Sequence, residues 1–173
     1  MDKFKDININ YDNLKLVPVT ELPRAKSVPL DDPLMLYKFC RRLQTLCDKA
    51  NGVGLSAVQV GIPLNVCVVK NNDEYEYLIN CSYAGVGDKV DSIEGCLSIL
   101  DSDGKPRQFE LKRFQQIEVD GYILKSDELS PYVQIKEVQK QLYVGFPAII
   151  VQHELDHAVG ILISDIGQEI KVW

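Results

Sequence analysis

The chain contains only two histidines, His153 and His157, which lie four residues apart in the sequence Q-H-E-L-D-H. On an α-helix this spacing places both imidazoles on one face, one turn apart, where they can bind one metal ion. Glu154 follows the first histidine, where a carboxylate can take a proton from a metal-activated water. The ordinary alternative is a helix that carries two unrelated histidines. Since the chain uses histidine nowhere else, the pair favours a metallohydrolase.

The residues around the pair predict a buried helix. Phe146 and Pro147 open the segment, and proline suits the first helical turn. An apolar run at residues 148–151 leads into the histidines, and Gly160 is a typical helix end. The run indicates burial on most sides, which would place the metal at the edge of a core.

The third ligand is not fixed by spacing, although a catalytic zinc-like site has three protein ligands and one open position. Downstream of His157 the available carboxylates are Asp165 and Glu169, and either would give a minimal zincin-like protease. The upstream candidate is Cys96 in E-G-C-L-S, for which the residues alone favour a merely buried thiol. The other four cysteines are interpreted as buried apolar residues or carry no ligand signature: Cys40, Cys47, Cys67 and Cys81.

Three motifs, taken in order, resemble the signature motifs of the peptide deformylase family. They are G-V-G-L-S-A-V-Q at residues 52–59, E-G-C-L-S at 94–98 and Q-H-E-L-D-H at 152–157. The first motif of that family reads G-x-G-L-A-A-x-Q. Each motif alone is a weak to moderate signal, and the three in this order are specific. The similarity extends through residues 78–80 and 145–152, and it covers the chain from about the first helix to the end.

The resemblance implies an enzyme that removes the N-formyl group from N-formylmethionyl peptides during the processing of nascent chains. It implies one divalent metal ion bound by Cys96, His153 and His157. Fe(II) is the expected ion, with Zn, Ni or Co as substitutes, because sulfur and nitrogen ligands of this kind suit several metals. A metal-bound hydroxide would be the nucleophile, and Glu154 would carry its proton to the leaving amine.

The resemblance also implies a substrate cleft around the metal. The side-chain amide of Gln59 and the backbone N–H of Leu97 would stabilise the oxyanion. Val53 and Gly54 would pair with the peptide main chain as an added strand, and the carbonyl of Gly95 would face the formyl N–H. The pocket for methionine would be apolar, with His153 at its floor and the following residues in its wall: Val53, Phe146, Ile149 and Ile150. Two further residues are expected in supporting positions, Asp156 in a structural bond and Arg113 in the frame of the cleft.

Several positions depart from the family pattern. Ser56 replaces the first alanine of motif one and adds a hydroxyl that needs a partner. Leu100 stands where proline commonly follows motif two, and Ala158 replaces the usual leucine after the second histidine. Residues 125–140 are expected to be an insertion. Sixteen residues follow His157, so we expect no long C-terminal helix for ribosome docking, weakened association with the ribosome, and a member of viral or organellar type.

Length and composition bound the remaining possibilities. A chain of 173 residues fits one domain spanning residues 1–173. A net charge of −6 without a Lys/Arg cluster argues against a nucleic-acid binder. Five cysteines without framework spacing indicate a reducing compartment. Residues 1–6 lack the apolar stretch of a signal peptide, and no segment is long enough to span a membrane. We therefore expect a cytoplasmic protein without a membrane partner.

The periodicity predicts an α+β fold, with mixed or antiparallel β-sheets around a central metal-binding helix and one additional long N-terminal helix. Residues 1–31 are expected to be largely irregular. Asp32 and Pro33 predict the start of the long helix and residues 51–52 its end. Its apolar face should be core: Leu36, Phe39, Cys40, Leu43, Leu46, Cys47 and Ala50. Strands are predicted at residues 65–69, 74–79, 116–124 and 133–144.

The sequence leaves three functional classes open. A deformylase of N-formylmethionyl peptides is the first. A different metalloamidase or minimal zincin, with Asp165 or Glu169 as third ligand, is the second. The third is a catalytically silent binding module, and the intact set of candidate residues argues against it: Gln59, Cys96, His153, Glu154 and His157.

Overall fold

The computed structural model describes residues 4, 7, 9, 10, 13–72, 74–126 and 132–171. The helices are α1 (Pro33–Lys49), α2 (Phe146–Val159) and α3 (Ile163–Ile166). The strands are β1 (Gly54–Ser56), β2 (Val66–Asn71), β3 (Glu74–Leu100), β4 (Pro106–Ser126), β5 (Val133–Val144) and β6 (Gln168–Ile170). In the described part of the chain, 3-10 helices include the segments Val19–Glu21 and Ala57–Val60.

The six strands form one sheet in the order β1-β2-β3-β4-β5, and β6 pairs with β4. Each pair of strands that are hydrogen-bonded to one another is antiparallel. The predicted α+β class is confirmed. The sequence predicted mixed or antiparallel sheets, and the sheet is antiparallel. Helix α2 packs against strands β1 to β5, so the expected central position of this helix against the sheet is confirmed too.

Helix α1 covers one face of the sheet and begins where the sequence predicts. The carboxylate of Asp32 accepts a hydrogen bond of 3.0 Å from the backbone N–H of Met35, and Pro33 occupies the first turn. The helix buries a single apolar stripe: Leu36, Phe39, Cys40, Leu43 and Cys47. Leu46 and Ala50, also expected in the core, are half-buried at the end of the helix. Each fully buried side chain of this size stabilises the fold by roughly 1.5–3 kcal/mol.

Helix α2 covers the opposite face, because successive side chains of a strand point to opposite sides of the sheet. In β2, Val66 and Val68 pack in the cluster with α1, while Cys67 and Val69 pack in the cluster with α2. The helix ends at Gly160, whose φ of 79° is the left-handed conformation that favours glycine at this position. The sheet therefore separates a mainly apolar layer from the layer that carries the histidines.

Strands β3 and β4 are much longer than predicted. The strand expected at residues 74–79 runs on to Leu100, and the strand expected at 116–124 already begins at Pro106. Their ladder has register shifts between Ile79 and Ser82, between Val86 and Lys89, and between Gly95 and Leu100. Each shift interrupts the period-two pattern on which a strand prediction depends. The short strands β1 and β6 were not predicted.

Several expectations concern residues only partly covered by the structure. Of residues 1–6, on which the absence of a signal peptide was argued, only residue 4 is described. In the expected insertion at 125–140, β4 runs to Ser126 and β5 begins at Val133, and residues 127–131 lie outside the described residues. Among the helices that are described, none is long and apolar enough to cross a membrane.

Candidate metal centre and cleft

Helix α2 and the end of β3 bring one thiol and two imidazoles together. Nε2 of His157 lies 3.4 Å from Sγ of Cys96 and 3.2 Å from Nε2 of His153. The three candidate ligand atoms all lie within 4.8 Å of one another. Cys96 and His157 are buried, and His153 is half-buried at the edge of a cleft. The sequence spacing of four residues thus does place the two imidazoles side by side.

The arrangement fits a divalent metal ion. Metal–ligand bonds of about 2.0–2.3 Å at tetrahedral angles separate neighbouring ligand atoms by roughly 3.3–3.6 Å. The spacings from His157 to Cys96 and to His153 are close to this range. Nδ1 of His153 lies 2.9 Å from Oε2 of Glu94, so this nitrogen is the donor to the carboxylate and Nε2 is left as the ligand atom.

The two downstream carboxylates lie in other contacts. Asp165 accepts a hydrogen bond of 3.0 Å from the backbone N–H of Leu162. Glu169 forms an exposed ion pair with Arg107. Within the described residues the one group able to hold a metal consists of Cys96 and the two histidines. The structure therefore favours the upstream cysteine over the zincin-like alternatives.

Glu154 is held in a tight space between α2 and β1. Its side chain is 4% exposed, and its Oε2 has no hydrogen-bond partner among the described residues. A Cβ on Gly54 would lie 2.6 Å from Oε1 of this carboxylate, so only glycine allows β1 to approach so closely. Burial raises the pKa of Glu154 to about 7. A carboxyl with such a pKa can both take up and release a proton near neutral pH.

Gln59 points the donor end of its amide at the metal centre. Its Oε1 accepts a hydrogen bond of 2.9 Å from the backbone N–H of Ser56, which fixes the orientation of the amide. Its Nε2 lies 3.6 Å from Sγ of Cys96 and 3.3 Å from Oγ of Ser98. Leu97 lies beside these residues, in the register shift of the β3–β4 ladder between Gly95 and Leu100.

A cleft of about 270 Å³ opens beside the cluster. Every residue expected to act on substrate lines it: Val53, Gly54, Gln59, Gly95, Leu97, Phe146, Ile149, Ile150, His153 and Glu154. Phe146 is 62% exposed and Val53 is 41% exposed, so these two form the rim. Gly52 of motif one, which the sequence places close to a substrate, also lines it. The sequence did not indicate the remaining lining residues: Asn51, Ile93, Glu94, Pro106 and Gln108. The structure shows where these residues lie, and their roles remain proposals.

Glu94 is the main residue near the centre to which the sequence assigned no role. It contacts His153, and it accepts two hydrogen bonds from the buried guanidinium of Arg113. Although burial opposes its ionisation, the hydrogen bonds from His153 and Arg113 lower the pKa of Glu94 to about 2. In the structure alternate residues of β3 turn inward, so that Glu94 shares one side of the strand with Cys96, and all four are buried: Ser92, Glu94, Cys96 and Ser98.

Gln152 and Asp156 attach α2 to the sheet. The side chain of Gln152 accepts a hydrogen bond from the backbone N–H of Phe114 at 3.0 Å and donates to its carbonyl at 2.8 Å. Asp156 contacts Arg113 and Tyr83, so the bond expected for it is present. Arg113 does not line the cleft itself, and it contacts the cleft through Glu94, a lining residue that accepts two hydrogen bonds from its guanidinium. Two buried carboxylates hold the guanidinium inside.

Comparisons with known proteins agree with this geometry. A family model described as Polypeptide deformylase matches residues 24–172. The chain is 34% identical over 131 residues to a peptide deformylase of Aquifex aeolicus, covering 72% of this chain and 67% of that protein. A peptide deformylase of Heliobacterium modesticaldum is 37% identical over 116 residues, which is 67% of each chain.

Solved structures of peptide deformylases have a fold similar to that of this chain. A peptide deformylase from Synechococcus elongatus in complex with actinonin superposes with a TM-score of 0.71 at 27% identity, covering 90% of this chain and 79% of that one. The peptide deformylase from Thermotoga maritima gives a TM-score of 0.70 at 26% identity, covering 88% and 96%.

Proposed function

Because this chain belongs to the polypeptide deformylase family, whose members remove N-formyl groups from nascent peptides, we propose that it hydrolyses N-formylmethionyl peptides with one divalent metal ion. The ligands are Cys96, His153 and His157. The observation that carries this proposal is their convergence beside a buried carboxylate and an oriented amide in one cleft.

The residues present fit such an ion, and sulfur and nitrogen ligands of this kind suit several metals. By resemblance the ion is Fe(II), with Zn, Ni or Co as substitutes. When bound, it supplies Lewis-acid activation of a water molecule and of the formyl carbonyl. His153 is held for this purpose by Glu94, whose lowered pKa keeps the accepting oxygen ionised.

Glu154 moves the proton in this reaction. It accepts a proton from the attacking water, whose oxygen adds to the formyl carbon. When the bond between carbon and nitrogen breaks, Glu154 delivers the proton to the leaving amine. The products are formate and a peptide with a free amino terminus. The burial of Glu154 in the cleft beside His153 supports both halves of this role.

Gln59 and Leu97 stabilise the oxyanion that forms when the carbonyl is attacked. Since Oε1 of Gln59 accepts the N–H of Ser56, the amide turns its Nε2 towards Cys96, where it can donate to the substrate oxygen. Leu97 follows the candidate ligand Cys96 directly in the chain and lines the same cleft. Its backbone N–H is the second donor.

The substrate lies as an extended strand in the cleft. Strand β1 is at the end of the sheet order, which leaves an edge beside Val53 and Gly54 for the peptide main chain. The carbonyl of Gly95 accepts the formyl N–H. The methionine side chain packs against the apolar wall of the cleft, formed by Val53, Phe146, Ile149 and Ile150.

The decisive experiment compares kcat/KM for formyl-Met-Ala-Ser and acetyl-Met-Ala-Ser, using protein loaded anaerobically with Fe(II) or Ni(II). A formyl carbon carries only hydrogen, so a narrow gap beside the metal admits it and excludes the methyl of an acetyl group. We expect cleavage of the formyl peptide and almost none of the acetyl peptide. Equal values would replace the deformylase assignment by a general amidase.

Metal content separates the proposal from the zincin-like alternative. Cys96→Ser should lose the tightly bound ion, whereas a site that uses Asp165 or Glu169 would keep it. The expected preference for methionine over similar side chains is moderate, about 1–3 kcal/mol for an apolar pocket. Association with the ribosome and a cytoplasmic location remain predictions from the sequence.

A further inference from the structure

Buried hydrogen bonds lead from the Nδ1 side of His153 into the sheet. Glu94 accepts from His153 at 2.9 Å, and Arg113 donates from Nε to Oε1 of Glu94 at 2.8 Å and from Nη2 to Oε2 at 3.1 Å. The Nη1 of Arg113 donates to Oδ2 of Asp156 at 2.5 Å. Arg113, Glu94 and Asp156 are 3%, 8% and 5% exposed. One guanidinium therefore serves two carboxylates away from solvent.

Two hydroxyl groups complete these contacts. Oγ of Ser92 donates to Oε1 of Glu94 at 3.0 Å. The hydroxyl of Tyr83 donates to Oδ1 of Asp156 at 2.8 Å, and it is the donor that the structure shows for that oxygen. With both hydroxyls present, each of the four carboxylate oxygens accepts at least one hydrogen bond. Buried carboxylate oxygens without donors are costly, so the hydroxyls stabilise this arrangement.

We propose that Tyr83 and Ser92 are positioning residues for His153, acting through the two carboxylates and the guanidinium between them. The inference rests on the proposed function, because it assumes that His153 binds a metal ion. Two carboxylates share one guanidinium, and the hydroxyl of Tyr83 satisfies the one remaining oxygen without burying another charge. The hydroxyl of Ser92 is a second donor to Oε1 of Glu94. A fixed Glu94 holds Nδ1–H of His153 and so presents Nε2 to the metal.

The two hydroxyls should differ in the size of their effect. Groups that directly orient a metal ligand typically change metal affinity about 10–100-fold when removed. Tyr83 is farther from the ligand, and we expect Tyr83→Phe to accelerate metal loss by roughly 3- to 10-fold, below that range. When the hydroxyl of Ser92 is removed, Oε1 of Glu94 still accepts a hydrogen bond from Nε of Arg113. For Ser92→Ala we therefore expect only about a twofold acceleration.

The test follows the release of zinc from zinc-loaded protein into excess chelator, with zinc as the probe ion. Tyr143→Phe is the matched control, because Tyr143 lies in the same sheet and its hydroxyl likewise donates to a carboxylate, Oε2 of Glu76 at 2.5 Å. Ser92→Thr retains a hydroxyl and should restore the wild-type rate. The unfolding temperature of each metal-free variant is measured in parallel.

We expect zinc release to be faster from Tyr83→Phe and unchanged from Tyr143→Phe. The unfolding temperature should fall by a comparable amount in both variants. A wild-type rate in Tyr83→Phe, or equal acceleration in Tyr143→Phe, would overturn the inference. If the wild-type protein binds no zinc, the proposed function and this inference both fail. Tight zinc binding with unchanged release from Tyr83→Phe removes this inference alone and leaves the deformylase proposal standing.

Discussion

The two long helices lie on opposite faces of the same sheet, and they bury different kinds of residue. Helix α1 buries five of its 17 residues, and all five are apolar or cysteine. Helix α2 buries nine of its 14 residues, and four of these are polar or charged: Gln152, Glu154, Asp156 and His157. Burying polar groups costs free energy unless each finds a partner. Helix α1 therefore serves the stability of the fold, and α2 is organised around a site.

The sheet supplies the partners that α2 requires. Gln152 bonds to the backbone of Phe114, and Asp156 bonds to Arg113 and Tyr83. Oε2 of Glu154 and Nδ1 of His157 are the exceptions, as neither has a hydrogen-bond partner among the described residues. Both exceptions belong to the proposed metal centre. In helix α2, the buried polar atoms without partners therefore coincide with the proposed site.

The largest expected effect tests the α2 side. Glu154→Gln removes the group that moves the proton while it keeps the size of the side chain. General acid–base groups contribute about 10²–10⁴-fold, and two roles in one residue should give a loss of kcat near the upper end. Steady-state kinetics together with metal analysis checks this. A loss of less than tenfold at normal metal content would assign the proton transfer to another residue.

The same variant should not lose stability, in contrast to a core substitution. Burial raises the pKa of Glu154 from 4.5 to about 7, so the folded state binds this proton more tightly than the unfolded chain. In the metal-free protein the free energy of unfolding should therefore fall as pH rises from about 4.5 to about 7. The glutamine variant lacks this contribution to the pH dependence. Denaturant titrations of both metal-free proteins across this pH range measure the difference.

The second effect tests the α1 side. Phe39 is fully buried in the cluster that α1 shares with the sheet. Phe39→Ala should lower the free energy of unfolding by about 3–5 kcal/mol. Since Phe39 does not line the cleft and its cluster contains none of the proposed metal ligands, kcat per folded and metal-loaded molecule should stay unchanged. Denaturant unfolding and activity at low temperature provide the two measurements.

Leu34 is the matched control in the same helix, because its side chain is 51% exposed. Leu34→Ala should change the free energy of unfolding by no more than about 0.5 kcal/mol. A drop in kcat for Phe39→Ala without a change in metal content would show that α1 also shapes the site. The contrast between the two helices would then be wrong.

Both helices were predicted from the sequence because their signals are local. Asp32 and Pro33 mark the start of α1, its apolar stripe recurs at helical spacing, and Gly160 ends α2. The histidine pair needs only helical spacing to come together. By contrast, Cys96 and His157 are 61 residues apart, and their contact followed from the resemblance of the motifs and not from any local pattern.

The sequence did not predict the end of β3, because the usual alternation of buried apolar and exposed polar residues is reversed there. Glu94 and Cys96 turn inward towards α2, while Ile93 is 63% exposed beside the cleft. A strand pattern normally places apolar residues inside, so this segment does not look like a strand. For the same reason Glu94 received no role, since its contacts to His153 and Arg113 exist only after β3 and α2 pack together.

The smallest expected effect concerns Ser56, where the sequence departs from the alanine of the family motif. Its Oγ is buried, and it has no hydrogen-bond partner among the described residues. An unsatisfied buried hydroxyl costs about 1–3 kcal/mol, so Ser56→Ala should raise the free energy of unfolding by about 1 kcal/mol. Ser98 is the matched control, because its buried hydroxyl lies 3.3 Å from Nε2 of Gln59 and its loss should lower stability. Denaturant titrations of the two alanine variants should give changes of opposite sign. Destabilisation by Ser56→Ala would instead show that a bound water satisfies the hydroxyl. The buried polar atoms of helix α2 that lack partners would then still be those of Glu154 and His157, at the proposed metal centre.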